Sequence, residues 1–135
     1  MKQRFSIFMT ALLFLPAFAG QAGAEKISNN VAVFAGLDKI TARITSFEVR
    51  INETVQFGAL QVTPRVCYNR PQNERPLTSG FVEVDEVLLN DELKRIFTGW
   101  MFASSPGLHA VEHPVFDVWL TSCKTVSGEA EAPSE

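Results

Sequence analysis

From Val31 to Cys123 the chain repeats apolar residues with a period of two, and the phase of that repeat slips more than once. A period of two marks strands with one face in a core, and a one-residue slip turns a strand inside out unless an extra residue bulges from the ladder. Ile40, Ala42 and Ile44 lie on one face while Phe47, Val49 and Ile51 belong to the other, which predicts a bulge near Thr45 and Ser46. The run from Thr54 to Tyr68 behaves alike. Val55 and Phe57 are in phase, Leu60, Val62, Val66 and Tyr68 follow in the opposite phase, and Gly58 stands at the switch, where a bulge or tight bend is expected. Two bent strands in succession suit a small antiparallel barrel or a curled sandwich better than a flat sheet.

The remaining segments fill in a mainly β fold. Val31 to Ala35 reads as a first short strand, and Gly36-Leu37-Asp38-Lys39 as the turn after it. Pro64 has no N–H to give to a ladder and marks an edge or a second irregularity. Residues 69–78 are polar and form a surface loop, either a long hairpin connection or a binding element. Phe81 to Val87 is extended, with Val82 and Val84 inward and Glu83 and Asp85 outward. Leu89, Leu93, Ile96 and Phe97 then follow helical spacing behind a possible N-cap at Asn90, which predicts one short helix. Val115 to Cys123 closes the domain as a strand, its apolar set Phe116, Val118 and Leu120 opposite Asp117, Trp119, Thr121 and Cys123. Cys67 is likewise out of phase with its aliphatic neighbours, so both thiols are expected on the less aliphatic side of their strands.

The first residues carry a different pattern. Lys2 and Arg4 precede a mostly apolar run from Phe5 to Ala19, and Ala22-Gly23-Ala24 stand before Glu25. These are the three parts of a secretory signal peptide, with cleavage expected after Ala24. The competing reading, a membrane anchor, needs roughly 20 apolar residues, and Thr10 and Pro16 interrupt this run. No cysteine adjoins the cleavage point, so no lipid anchor is expected. The expected organisation is a signal peptide over 1–24, one β domain over 25–126 and a disordered acidic tail over 127–135 that carries Glu129, Glu131 and Glu135.

Charge and cysteines narrow the role. The chain has 12 basic and 15 acidic residues; removal of Lys2 and Arg4 leaves 10 against 15, a net −5. Such a surface lacks the cationic footprint that nucleic acids and anionic lipids require. Two cysteines in an exported protein read as one disulfide, Cys67 to Cys123, worth about 4 kcal/mol on the chain-entropy view. A redox-active pair would call for a Cys-x-x-Cys spacing or a neighbouring base, and neither is present.

Phe97 to Cys123 gathers both tryptophans, both histidines and one cysteine. Phe97, Gly99, Met101 and Ala103 alternate with Thr98, Trp100 and Phe102, and both sets are largely apolar. Either this is a central strand covered on both faces, or one face is an aromatic patch that a partner covers. The candidate binding residues are Trp100, Met101, Phe102, Ser104, Ser105 and Trp119. Ser104 to Gly107 has the composition of a turn. His109 and His113, with Glu112 or Asp117, could hold zinc, and Ser104 or Ser105 with His113 and Asp117 could form a hydrolytic triad. Against both stand the absence of a His-Glu-x-x-His or Gly-x-Ser-x-Gly motif and the lack of a third histidine. The ordinary role of such histidines is to bond loop backbone and fix its shape. No catalytic residue, metal or cofactor is expected.

Gly36-Leu37-Asp38-Lys39 with Thr41, Phe57-Gly58-Ala59-Leu60, Cys67, Phe97 through Pro106, His113-Pro114 with Phe116-Asp117-Val118-Trp119, and Cys123 together resemble an uncharacterised family, domain of unknown function 2155, found mainly in alphaproteobacteria. The resemblance spans the whole domain after the signal and implies a secreted bacterial protein with paired cysteines. It transfers no activity. Genes of this type often stand near one for an accessory subunit of respiratory complex I, which implies a partner associated with the respiratory chain. The expectation is a periplasmic, non-enzymatic binding or accessory domain that contacts an envelope or inner-membrane protein through Gly99 to Pro106 and the loop at 69–78. The alternative is a metal-dependent or hydrolytic enzyme built on His109, His113 and Asp117.

Overall fold

A computed structural model describes residues 26–70 and 77–127. The expected signal peptide, the acidic tail beyond Ser127 and the middle of the 69–78 loop lie outside the described residues. Within them the elements are β1 (Ile27–Ser28), β2 (Val31–Asp38), β3 (Arg43–Arg50), β4 (Val55–Phe57), β5 (Leu60–Asn69), β6 (Ser79–Val87), β7 (Leu93–Phe102) and β8 (Phe116–Lys124). All pairings are antiparallel. One sheet runs β1-β5-β6-β7, with β4 also on β5, and the other runs β3-β2-β8. The two sheets are open and face each other, so no closed barrel forms. Phe34, Val49, Leu60, Val62, Val82, Val84, Val118 and Leu120, drawn from both sheets, are essentially inaccessible and make one core. Each contributes about 1.5–3 kcal/mol by leaving water.

The phase slips have three different causes. β3 pairs with β2 in unbroken register from Asp38 opposite Arg43 to Val31 opposite Arg50, so the bulge expected near Thr45 does not exist. Ile40 and Ile44 are simply outward, 78% and 62% exposed, while Val49 is in the core and Phe47 and Ile51 pack against it. At Gly58 the chain turns: Phe57 pairs with Leu60, and Gly58 at φ +56° closes a two-residue β4–β5 hairpin. True bulges occur at Arg65 and Thr121. Pro64 is opposite Val82 and Val66 opposite Phe81, while Val33 is opposite Ser122 and Phe34 opposite Leu120. Pro64 thus lies at an irregularity, as expected, in the stretch of β5 between its β4 and β1 pairings.

Those bulges correct the placement of the cysteines. Each stands two residues beyond a bulged position, so each is returned to the inward phase; Cys67 is fully buried and Cys123 nearly so. They form a disulfide with Cα atoms 5.7 Å apart, joining β5 of one sheet to β8 of the other.

Two further expectations are overturned. Gly36 to Asp38 continue β2, and the turn lies at Lys39 to Ala42, where Asp38 Oδ1 accepts from the amides of Ile40 and Thr41 at 2.9 and 3.3 Å. Gly36 is required for packing instead, because a Cβ there would lie 2.6 Å from the Phe57 ring. The short helix is absent too: Leu88 to Glu92 is the connection of the β6–β7 hairpin. Leu89 and Leu93, whose spacing suggested a helix, are exposed. Asn90 caps the turn by accepting from the Glu92 amide, and Asp91 takes a positive φ.

Candidate binding surface

β7 is the outermost strand of its sheet, not a central one, and its two faces have different environments. Met101 points into the core at 3% exposure, whereas Trp100 on the outer face is 39% exposed. Tyr68, Ser79 and Phe102 lie opposite one another across β5, β6 and β7, and Phe81 lies opposite Trp100. The Trp100 ring stacks on Tyr68 with centroids 6.2 Å apart and meets Phe81 edge-on at 5.6 Å. Lys26 Nζ sits 5.5 Å over the Tyr68 ring, within cation–π range. Together Lys26, Tyr68, Arg70, Leu77, Ser79, Trp100 and Phe102 line a cleft of about 250 Å³. Ser104 and Ser105 are exposed in the turn that follows, where the Ser105 amide donates to the Phe102 carbonyl at 3.1 Å.

The rest of this outer face is charged. Glu83 Oε2 accepts from Arg65 at 2.9 Å and lies 3.6 Å from Arg95, while Asp85 Oδ1 accepts from Arg95 Nε at 2.6 Å. The hydrogen bond that Arg95 donates to Asp85 raises the pKa of its guanidinium above the ordinary value. Trp119 is not part of this surface. It lies on β8 of the other sheet, opposite Ala35, in the phase that alternates with buried Val118 and Leu120.

The two histidines have different surroundings. His109 is exposed, its ring 6.2 Å from Phe102. His113 is buried, and its Nδ1 accepts from the amides of Val115 and Phe116, both at 3.1 Å. An accepting Nδ1 leaves the proton on Nε2, which donates to Glu86 Oε1 at 3.1 Å. Lys39 Nζ donates to the His113 carbonyl at 2.8 Å. His113 therefore fixes the start of β8, with Glu86 as its carboxylate partner in place of Asp117. Among the described residues no three His, Cys, Asp or Glu side chains are grouped to hold a metal ion.

The sequence reading missed Lys26, Tyr68 and Ser79 as cleft residues, Phe81 as the edge-on neighbour of Trp100, and Glu86 as a histidine partner. Signals existed for two of them. Phe81 precedes inward Val82, which makes it an outward aromatic, and Glu86 continues the inward phase of Val82 and Val84, where a carboxylate needs a partner.

Two open antiparallel sheets joined by one buried disulfide, with an aromatic cleft on an outer face, define a small disulfide-tied β domain. Residues 32–123, which include both cysteines, match the family described as an uncharacterized protein conserved in bacteria (DUF2155), and the chain belongs to it. It is also 26% identical over 87 residues to "Uncharacterized protein RP359" of Rickettsia prowazekii (strain Madrid E). That similarity covers 64% of this chain and 56% of the relative, so the chain matches little more than half of the relative's length. No solved structure matches the chain.

Proposed function

We propose that this protein is an exported, non-enzymatic binding or accessory domain that holds an envelope or inner-membrane protein against the outer face of β5, β6 and β7. The observation that carries the reading is Trp100, a large aromatic left partly open beside a cleft while Met101, next to it, is sealed in the core. Tryptophan is over-represented among the few residues that dominate binding energies. The buried disulfide supports a periplasmic location, since such bonds persist in oxidising compartments. The test is crosslinking and capture of the tagged protein from intact envelopes. Trp100→Ser should lose the captured partner while melting like the parent protein, and Trp119→Ser, on the opposite sheet, should retain it. Equal capture by both variants would remove this face from consideration.

A further inference from the structure

The charge of the cleft differs from that of the protein around it. The chain carries 15 acidic residues against 12 basic ones, yet the described residues that line the cleft include two cations, Lys26 and Arg70, and no carboxylate. The two cations belong to the β1–β5 side, and the aromatics Trp100 and Phe102 to β7. Because Tyr68, Ser79 and Phe102 are aligned across three strands, the cleft runs across the sheet and presents a cationic end and an aromatic end. The carboxylates of this face, Glu83 and Asp85, are engaged by Arg65 and Arg95 farther along the strands.

Resting on the binding function above, we infer that the occupant is an acidic peptide segment of a partner protein. Its apolar or aromatic side chain sits against Trp100 and Phe102, and a neighbouring Asp or Glu side chain meets Lys26 and Arg70. Three features favour a peptide. A volume of about 250 Å³ accommodates a side chain or two and falls below the roughly 300–1,000 Å³ of small-molecule sites. Among the described residues that line it, the uncharged polar side chains are the hydroxyls of Ser79 and Tyr68, too few to read a sugar. Two cations in an acidic chain are too few to hold a membrane surface, which is bound through basic clusters of about 4–8 residues. Charge complementarity at the end of an aromatic slot gives a partner both an orientation and a register.

The probe is a short fluorescein-labelled peptide of Asp and Glu around one central Phe, capped at both ends so that every carboxylate is a side chain. Anisotropy is measured on the oxidised protein, with three comparison probes: the peptide with Lys for each acid, the peptide with Ala for Phe, and phosphatidylglycerol vesicles. The acidic Phe peptide should bind about tenfold or more tightly than either altered peptide. A Lys26→Glu, Arg70→Glu variant of unchanged melting temperature should reverse the preference for charge, and Trp100→Ser should weaken binding of every Phe peptide. Equal affinity for acidic and basic peptides, an unchanged preference in the charge-reversed variant, or tighter binding of vesicles would overturn the inference. Self-association that requires Trp100, seen by light scattering, would assign the cleft to a second copy and overturn it as well. If envelope capture depends on Trp100 while the acidic peptide shows no preference, only the charge class fails; if capture is indifferent to Trp100, the binding function fails with it.

Discussion

His113 Nε2 donates to Glu86 Oε1 at 3.1 Å, a contact that bridges 27 residues and joins the end of β6 to the start of β8. The opposite ring nitrogen satisfies two backbone amides in the same buried place. His113→Ala should therefore destabilise the protein by about 1–3 kcal/mol, the cost of leaving such groups unpaired. His113→Asn, whose amide oxygen can accept in place of Nδ1, should cost less. Urea unfolding of the two variants decides this, and equal midpoints for Ala and the parent would remove the structural role.

Phe116 occupies the space that a side chain at position 58 would need, with ring atoms 2.4 Å from an ideal Cβ on Gly58. Phe57 does the same at Gly36. The rings of Phe34, Phe47, Phe57 and Phe116 form a chain with centroids 5.5–5.7 Å apart, so neither ring can yield without disturbing the next. Gly36→Ala should cost about 1–3 kcal/mol by overpacking. Gly58→Ala should cost more, because its left-handed backbone adds about 1–2 kcal/mol. In a Phe57→Leu background the Gly36→Ala penalty should shrink measurably in a double-mutant cycle.

Replacing both Cys67 and Cys123 by Ala should remove about 4 kcal/mol on the chain-entropy view of a cross-link closing 56 residues. Denaturant midpoints of the parent with and without reductant give an independent measure and should differ in the same direction.

Neighbouring Trp100 and Met101 should respond in opposite ways to truncation. Met101→Ala opens a cavity in the core and should cost about 2–5 kcal/mol. Trp100→Ser, on the outer face, should stay within about 1 kcal/mol of the parent. Thermal melts of the pair report which side of β7 is structural.

Much of this arrangement was legible from residue order alone. Val82 and Val84 inward against Glu83 and Asp85 outward, the apolar set of β8, the turn after Phe102 and the pairing of Cys67 with Cys123 follow from period, turn composition and a cysteine count of two. The phase slips were visible but ambiguous. A change of phase arises from outward isoleucines at 40 and 44, from a hairpin turn at Gly58 or from bulges at Arg65 and Thr121, and apolarity by itself carries no mark of which. Leu89 and Leu93 suggested a helix because spacing records side chains and not their exposure. Glu86 and His113 could not be matched because the contact depends on how β6 and β8 meet in space, and the cleft depends on three strands that are adjacent only after folding.

The path of the chain also imposes an order in time. β2, the middle strand of its sheet, pairs with its sequence neighbour β3 and with β8, the last of the described strands, and such distant pairings are the slow part of folding. Throughout that interval Cys67 has no partner of its own chain, and its thiolate can attack a foreign disulfide, forming a mixed disulfide and releasing the other sulfur as a thiol. Closure of the bond to Cys123 therefore marks completion: a chain truncated before β8 would keep Cys67 as an unpaired thiol, and would be distinguishable from a molecule that carries the bond by that alone.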